Sequence, residues 1–490
     1  MLSVPRTLVE LSAARAVSHP DHLAVDDGAR RLTYAETWER VQAAAVVLRK
    51  SGVRPGDRVL VVGRNSVPWV VSAFAVLALG ATVVPLGHGA TRGEKQRAVD
   101  RLGPSLVVAD DRSWRGRDPR LRLVSMARLI AAPAAPTSTD LPQIDTGSPA
   151  LVLATSGTTG DVKFVPMGHA QLADLYRHIS GWLGLQETDV LLGAVPLAHS
   201  FGFNGVLIVA MWAGAGVRLV DRYDAAQVRA LVAESGLTVL AGPPTIYHDL
   251  HLLGTPLRGV RQAIAGSTEV QADRMRAICD DLGIAELVTG YGMTETCGSV
   301  ALGRIGADPG RHGWMTPLPG LETKVVGPLL SEVGPGEEGR LLVRGGHVAT
   351  RYADGSRPAV DAEGWLDTGD LARRDHEGRL AIVSRVKDTV IVSGFNVVPQ
   401  EVERVLTDHP GVHRAVVVGV PDARQGQRLV ACVIPAGEPP ASSSLDLHLR
   451  DHLAAFKVPG RFVFFDEFPT TGSGKVSRLS LRSQLLEAVG

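Results

Sequence analysis

The chain has 490 residues, with 51 basic and 51 acidic side chains and 45% hydrophobic residues. This length is enough for one large domain and a smaller one with their own hydrophobic cores. The balanced charge provides no basic surface of the kind that binds nucleic acid, and the 3 widely spaced cysteines exclude a disulfide framework and the usual zinc motifs. We therefore expect no nucleic-acid partner and a reducing, cytoplasmic location.

The N-terminal segment lacks the continuous apolar core and the cleavage site of a targeting peptide. One uncharged stretch, 65–86, approaches the length of a membrane span, but Gly80 and Pro85 interrupt it. We interpret this stretch as a helix followed by a short buried strand, and we expect no membrane span.

Short β-branched runs alternate with helical patterns in the first part of the chain. Runs at 58–62, 81–84 and 105–109 surround helical stretches such as 34–49. This alternation is typical of parallel strands covered by helices. After a connector rich in Pro, Ser and Thr at 133–149, the alternation resumes and continues to about residue 300. The pattern predicts an α/β protein with a large N-terminal domain of helix-covered, mostly parallel sheets.

The pattern changes from Gly320, where shorter strands are separated by Gly-Pro turns and predict a β-rich subdomain. The last part of the chain has strands around 379–392, 415–420 and 429–434 and a helix near 399–407. We expect a small mobile α+β C-terminal domain, with the domains at 1–385 and 386–490.

The strongest local motif is Thr155-Ser-Gly-Thr-Thr-Gly-Asp-Val-Lys163, directly after a predicted buried strand. Its glycines allow the backbone to curve around an anion, its hydroxyls and N–H groups can donate, and its lysine adds positive charge. The spacing is not that of a Walker A loop. A polar strand-to-helix turn is the structural alternative.

Three weaker motifs follow. Tyr291-Gly-Met-Thr-Glu-Thr296 offers an aromatic face for a base and a carboxylate for Mg²⁺, although a turn would explain it alone. Gly364–Asp370 holds two carboxylates among glycines, suited to ribose hydroxyls or to turn formation. Thr470–Lys475 places a lysine in a glycine-rich loop that could also be a solvated tail.

In this order, the four motifs resemble those of the adenylate-forming superfamily, which includes acyl-CoA and aryl-CoA ligases. The resemblance spans nearly the whole chain and includes Leu32–Tyr34, Pro55–Asp57, Pro196–His199 and Ser393–Glu403. It implies an acid–thiol ligase that uses ATP and Mg²⁺ to convert a carboxylic acid to acyl-AMP with release of pyrophosphate. The acyl group then passes to the thiol of CoA.

The resemblance also assigns nucleotide-binding residues. The loop from Thr155 to Lys163, with Ser156, Gly157, Thr158, Thr159 and Gly160, would hold the β- and γ-phosphates. The residues implied for the rest of the nucleotide are Tyr291 at the adenine, Thr294 at the α-phosphate, Glu295 at Mg²⁺, and Asp370 and Arg385 at the ribose. Gly266, Ser267 and Gly292 are further implied cofactor-binding residues. The family has Pro before and Gly after the loop lysine, whereas Val162 and Phe164 flank Lys163.

Other implied roles concern the C-terminal part of the chain. Lys475 matches the catalytic lysine of adenylation, and Lys387 the hinge around which the small domain turns. Ser393 and Gly394 would line the pantetheine tunnel.

The acid itself is left open, as aliphatic or aromatic. No acidic residue occurs at 191–219, which argues against an α-amino acid. His199 would lie against the substrate carboxyl group. The implied pocket lining comprises Phe203, Asn204, Ile246, Tyr247, Gly266, Ser267, Gly292 and Cys297.

The acceptor is expected to be CoA, with a carrier-protein phosphopantetheine as the alternative. The other possibilities are a nucleotide-binding regulator without catalysis and a hydrolase. A regulator without catalysis would not need all five charged residues that the resemblance assigns to the reaction, which are Lys163, Glu295, Asp370, Arg385 and Lys475. The lack of a G-x-S-x-G motif argues against the hydrolase. The oligomeric state is not predicted.

Overall fold

The computed structural model describes a protein that divides into two compact units. The first unit comprises Met1–Thr323, Leu342–Leu366 and Glu377–Leu380. The second comprises Lys324–Leu341, Asp367–His376 and Ala381–Gly490. The described residues are 4–110, 114, 121–134, 141–156, 162–254, 256–267, 270–306, 313–356, 360–385, 390–392, 395–422, 426–470 and 476–487.

The strands of the first unit form two sheets. In chain order they are β1 (Leu23–Asp26), β2 (Arg31–Thr33), β3 (Arg58–Gly63), β4 (Thr82–Gly87), β5 (Leu106–Ala109), β6 (Arg122–Ser125), β7 (Pro149–Ser156), β8 (Val162–Gly168), β9 (Val190–Gly193), β10 (Gly216–Leu219), β11 (Val239–Gly242), β12 (Gln262–Ala265), β13 (Glu286–Tyr291), β14 (Ala301–Arg304) and β15 (Trp314–Pro317).

Helices separate most of these strands. They are α1 (Leu8–Ser18), α2 (Tyr34–Lys50), α3 (Val67–Ala78), α4 (Arg92–Leu102), α5 (Met126–Ile130), α6 (His169–Leu183), α7 (Ser200–Gly202), α8 (Val209–Ala213), α9 (Ala225–Ser235), α10 (Pro244–Leu252) and α11 (Ala272–Asp281). A π-helical turn, Phe203–Ile208, joins α7 to α8.

The first sheet has the order β6-β5-β3-β4-β7-β8. Its pairs are parallel except for the antiparallel pair β7–β8. Strand β3 has a continuous apolar run, Val59–Val62, in which every side chain is fully buried. Burial on both faces is what a parallel strand between helices requires. The sequence prediction of helix-covered parallel strands is therefore confirmed.

The stretch 65–86, which contains no charged residue, forms helix α3 and strand β4, as predicted. Helix α3 is buried on all sides, since all but one of its residues are at most 2% exposed, and its residues other than Ser72 are apolar. Within the described part of the chain, no helix is both long and apolar enough to cross a membrane.

The second sheet of the first unit has the order β15-β14-β13-β12-β11-β9-β10-β1-β2. Strands β11, β12 and β13 are parallel neighbours, and the register pairs Gly242 with Ala265 and Ala265 with Thr289. Their carboxyl ends therefore lie at one edge of the sheet. In open α/β sheets, ligands bind at this edge.

The second unit contains most of the β-rich segment and all of the residues from 381 onward. Its strands, some of which begin or end in the first unit, are β16 (Leu321–Val326), β17 (Glu338–Gly345), β18 (Leu366–Arg374), β19 (Leu380–Arg385), β20 (Val390–Val392), β21 (Phe395–Val397), β22 (Val412–Asp422), β23 (Gly426–Pro435) and β24 (Arg461–Phe464). Its helices are α12 (Pro399–Thr407), α13 (Ser442–His452) and α14 (Arg478–Glu487).

A five-stranded sheet, with the order β21-β20-β23-β22 and β24 added beside β23, forms the centre of this unit. Helices α12 and α13 contribute Val402, Leu406 and Leu445 to the core on one face, and α14 contributes Leu481 and Leu485 on the other. Strands on a sheet with helices on both faces give the predicted α+β character.

Candidate active site

The motif Thr155–Lys163, which the sequence analysis assigned to phosphate binding, begins and ends on two paired antiparallel strands. Strands β7 and β8 pair Thr155 with Lys163 and Ser156 with Val162. Both Thr155 and Lys163 are half-buried. The predicted loop residues Gly157, Thr158, Thr159 and Gly160 lie outside the described residues. The described ends of the motif therefore lie on paired strands, and the element that follows it is strand β8 rather than the helix of the structural alternative.

Glu295 lies in a short 3₁₀ turn, Thr294–Thr296, that follows β13 at the carboxyl edge of the sheet. The turn cannot take a larger residue at Gly292, where a Cβ would lie 2.4 Å from the carbonyl oxygen of Gly298. Thr294, the first residue of the turn, and Tyr291, which precedes it, are both half-buried.

The turn ends at Cys297, which has a positive φ of 55°. Its carbonyl oxygen accepts hydrogen bonds from the Tyr176 hydroxyl at 2.8 Å and from Asn204 Nδ2 at 3.3 Å. Such a conformation is costly for a residue with a side chain and persists where the surroundings hold it. Burial raises the pKa of the Cys297 thiol to about 12, so the thiol is neutral.

Glu295 is a buried carboxylate with an exposed fraction of 6%. Its Oε1 lies 3.5 Å from the Tyr352 hydroxyl, and the ring of Tyr352 lies 4.9 Å from Lys163 Nζ. No salt bridge to Glu295 occurs among the residues described. A buried carboxylate without an ion-pair partner is unfavourable by itself and suits the binding of a cation such as Mg²⁺.

The loop after β12 contains Gly266 and Ser267. Gly266 is buried, and Ser267 has a positive φ of 68°. Strained backbone of this kind in non-glycine residues concentrates at functional sites. The parallel register places this loop next to the loop that carries Glu295.

His199 lies at the N-terminus of α7, after β9. Its Nδ1 accepts a hydrogen bond from the backbone N–H of Phe201 at 3.3 Å. In the neutral imidazole the proton is then on Nε2, so this nitrogen can donate to a carboxylate. The neighbouring Ser200 Cβ lies 3.5 Å from where a Cβ at Gly298 would be, so this helix start packs beside the turn of Glu295.

Phe201 is a half-buried aromatic residue that the sequence analysis did not select. A Cβ at Gly205 would lie 2.7 Å from its ring, and a Cβ at Gly266 would lie 3.8 Å from it. The ring therefore packs directly against Gly205, where a Cβ would clash with it, and lies near Gly266, where a Cβ would reach van der Waals contact with it. The alternation of aromatic residues and glycines in Phe201-Gly-Phe-Asn-Gly205 indicated that an aromatic side chain lies near the acid. It did not indicate whether that side chain is Phe201 or Phe203.

Four predicted pocket residues lie in the interior. Phe203 is fully buried and packs between Trp69 and Phe74, with ring centroids 5.9 and 6.2 Å away. Tyr247 is also fully buried, and its hydroxyl is shared between the carbonyl oxygens of Leu240 and Ile264. Asn204 and Cys297 have exposed fractions of 0% and 1%.

In the second unit, Asp370 on β18 and Arg385 on β19 form an ion pair with an Nε–Oδ1 distance of 3.1 Å. Asp370 is 3% exposed, and its backbone N–H donates to the Thr368 hydroxyl. The structure thus brings together the two residues that the sequence analysis assigned to the ribose. Lys387, Ser393, Gly394 and Lys475 lie outside the described residues.

The segment with Lys475 has described residues on both sides. Thr470 and Val476 form an antiparallel bridge. Helix α14, which follows, is fixed to α12 by Arg478, whose guanidinium donates to both carboxylate oxygens of Glu403 at 2.6 and 2.9 Å.

Comparison with known families identifies the class. The AMP-binding enzyme model matches residues 12–353, and the model of the AMP-binding enzyme C-terminal domain matches residues 401–475. The chain belongs to the AMP-binding enzyme family, within the adenylate-forming superfamily. It is an AMP-forming acid–thiol ligase that uses ATP and Mg²⁺ to convert a carboxylic acid to acyl-AMP and transfers the acyl group to CoA.

Individual relatives cover nearly the whole chain. A feruloyl-CoA synthase from Amycolatopsis sp is 33% identical over 96% of this chain and 97% of its own length. A salicyl-AMP ligase / salicyl-S-ArCP synthetase from Mycobacterium tuberculosis is 31% identical over 99% of this chain and 92% of its own length. The crystal structure of the anthranilate CoA ligase AuaEII in complex with anthranoyl-AMP has a TM-score of 0.88 and 25% identity, covering 100% of this chain and 99% of that one.

Proposed function

We propose that the enzyme activates a carboxylic acid whose carboxyl group is attached to, or near, an aromatic ring. The observation that carries this proposal is the half-buried ring of Phe201 between Gly205 and Gly266. A half-buried aromatic ring whose neighbours at these two positions carry no side chain offers an apolar, planar surface to a ligand. A planar ring fits such a surface and gains stacking energy that an aliphatic chain does not.

The relatives support a ring acid. The names of three of them refer to feruloyl, salicyl and anthranoyl groups, which are all aromatic acyl groups. The same names include both a CoA ligase and a carrier-protein synthetase, so a carrier protein is the acceptor that the experiment must test against CoA.

His199 binds the carboxyl group of the acid in this proposal. A donor at Nε2 orients one carboxylate oxygen, which leaves the other to attack the α-phosphorus. Thr294 binds the α-phosphate, Tyr291 packs against adenine, and the backbone of Gly266, Ser267 and Gly292 lines the space between the nucleotide and the acid.

Lys163 and the loop with Thr155 and Ser156 bind the β- and γ-phosphates. Glu295 binds Mg²⁺, which neutralises the negative charge that the phosphates carry during transfer. These charges are already in position before the reaction and stabilise the negative charge that develops on the leaving pyrophosphate. In water, the solvent would have to reorganise to provide the same stabilisation.

The remaining roles belong to the C-terminal part of the chain. Asp370 and Arg385 bind the ribose hydroxyls, and Lys475 stabilises the α-phosphate during adenylation. A mobile domain at 386–490, turning at Lys387, then replaces Lys475 with Ser393 and Gly394 at the thiol. Replacement of Lys475 by Ala should therefore abolish acyl-AMP formation and spare thioester formation from supplied acyl-AMP. Equal loss of both reactions would contradict this alternation.

The three cysteines are free thiols and all are buried. This supports a reducing compartment, and we propose the cytoplasm.

The experiment offers the enzyme ATP, Mg²⁺, CoA and equimolar aromatic and straight-chain acids of equal carbon number, with products identified by mass spectrometry. We expect AMP and the CoA thioester of an aromatic acid. A hydroxamate formed on addition of hydroxylamine, without any CoA thioester, would transfer the acceptor role to a carrier protein. Thioesters of the straight-chain acids alone would refute the ring acid.

A matched pair of glycine variants sharpens this experiment. Replacement of Gly266 by Ala places a methyl group against the Phe201 ring, and should reduce the use of ring acids more than that of chain acids. Gly181 lies in α6 with open space where a Cβ would be, so Gly181→Ala is the control and should leave the acid preference unchanged.

A further inference from the structure

The segment Ala349–Ala353 connects the two charged elements of the candidate active site. The backbone N–H of Ala349 donates to the carbonyl oxygen of Glu295 at 2.7 Å. The backbone N–H of Ala353 donates to the carbonyl oxygen of Phe164 on β8 at 2.6 Å. Phe164 is the residue next to Lys163, so this segment ties strand β8 to the turn of Glu295.

Tyr352 lies between the two backbone contacts. Its side chain is 7% exposed and packs against Val165 and Ala349. The ring faces Lys163 Nζ at 4.9 Å, and the hydroxyl lies 3.5 Å from Glu295 Oε1. One aromatic side chain therefore contacts both the ammonium group and the carboxylate.

A direct ion pair between Lys163 and Glu295 would compete with the binding of ligands at both groups. A lysine and a glutamate in the same partly buried region attract each other strongly. If they paired directly, each charge would neutralise the other, and neither would be available to a phosphate or a metal ion. Within the described part of the chain no ion pair joins Lys163 to Glu295. The phenol instead gives the ammonium group a π face and the carboxylate a donor.

We propose that Tyr352 is a positioning residue that keeps Lys163 and Glu295 apart and orients each toward its own ligand. Its ring holds Lys163 toward the phosphates of ATP, and its hydroxyl holds Glu295 toward the divalent cation. This inference rests on the roles proposed above for Lys163 and Glu295. It adds a residue between them that binds neither the acid nor the nucleotide.

The test measures metal binding without turnover. Mn²⁺ binding is followed from the EPR signal of the free ion, with a non-hydrolysable ATP analogue present and no acid. For Tyr352→Phe we expect Mn²⁺ affinity to fall about 3- to 10-fold, since only a donor to a charged group is lost, and the affinity for the nucleotide to remain. For Tyr352→Leu we expect the nucleotide affinity to fall as well, because the ring over Lys163 is lost.

Tyr34→Phe is the matched control. Tyr34 is another buried tyrosine of the first unit, and its hydroxyl donates to the carbonyl oxygen of Ala215 at 2.7 Å. Loss of that hydroxyl should leave Mn²⁺ affinity unchanged. We compare the two variants directly. If Tyr352→Phe keeps the nucleotide affinity that Tyr352→Leu loses, and both have reduced Mn²⁺ affinity, then the ring and the hydroxyl have separate positioning roles that a loss of packing alone would not produce.

Unchanged Mn²⁺ affinity in Tyr352→Phe would overturn the inference. It would leave the proposed function intact if the wild-type enzyme still formed acyl-AMP. Absence of nucleotide-dependent Mn²⁺ binding in the wild-type enzyme would overturn both the inference and the proposed role of Glu295.

Discussion

Two regions of the candidate active site are built in different ways. The cation end, defined by Lys163, Glu295 and Tyr352, consists of buried or half-buried charges around an aromatic ring, fixed by short backbone hydrogen bonds. The acid end, defined by His199, Phe201, Gly205 and Gly266, consists of one half-buried ring beside two glycines.

The difference separates reaction chemistry from selectivity. Phosphoryl chemistry needs particular charges at fixed positions, which only a few residue types can provide. Recognition of an acid needs a space of the right shape, which many combinations of side chains can provide. Substitutions at the cation end should therefore affect all acids equally, and substitutions at the acid end should change the preference among acids.

The largest expected effect is at the cation end. Glu295→Gln removes the carboxylate that binds the metal and should lower kcat/KM for acyl-AMP formation by about 10²–10³-fold, or about 3–4 kcal/mol. The measurement is ATP–pyrophosphate exchange with one ring acid and one chain acid. Glu322→Gln, at an exposed carboxylate paired with Arg344, is the control. A loss of activity with only one of the two acids would contradict the separation of reaction chemistry from acid selectivity.

The next effect concerns the framework that both ends share. His169 begins α6, directly after β8, and α6 carries Tyr176, which holds the turn of Glu295. Burial lowers the pKa of His169 from 6.5 to about 4, partly opposed by Asp145. Because the unfolded chain binds a proton near pH 6.5 and the folded one does not, the free energy of unfolding should fall between about pH 6.5 and pH 4, by about 3 kcal/mol.

Urea unfolding at several pH values between 7 and 4 tests this. His169→Asn, whose side-chain oxygen can accept the hydrogen bond that Leu8 N–H now donates to Nδ1, should lose that part of the pH dependence. The same pH dependence in the variant and the wild type would exclude His169 as the source.

A smaller effect is expected at the acid end. Gly205→Ala places a Cβ 2.7 Å from the Phe201 ring, so the ring must leave the position in which it is proposed to contact the acid. The value of kcat/KM should fall about 10- to 100-fold for ring acids and less for chain acids, because a single extra carbon in a pocket changes selectivity by about 1–3 kcal/mol. Equal loss for both types of acid would place Gly205 outside the pocket.

The smallest effect is a change of preference without loss of chemistry. Phe201→Leu keeps an apolar side chain but removes the flat face, and should shift the ratio of kcat/KM values about 5-fold toward chain acids. Competition between the two acids, read by mass spectrometry, gives this ratio directly. An unchanged ratio would show that Phe201 does not contact the acid.

The difference between the cation end and the acid end also bears on how much of the molecule could be predicted from the sequence. The parallel strands and helix α12 follow from local periodicity. The proximity of Asp370 and Arg385 agrees with the family resemblance, which assigns both to the ribose, whereas their ion pair was not predicted. The role of Tyr352 could not be predicted, because its contacts with Lys163 and Glu295 join parts of the chain that are distant in sequence. Nor could the choice between Phe201 and Phe203, since only packing decides that Phe203 lies against Trp69 and Phe74.

A crystal structure with Mg²⁺ and a non-hydrolysable aryl-adenylate analogue would test the division into two ends most directly. We expect the aryl ring to lie within about 4 Å of the Phe201 ring, beside Gly205 and Gly266, with Glu295 bound to the metal ion. An aryl ring bound elsewhere, or a metal ion without Glu295 as a ligand, would contradict it.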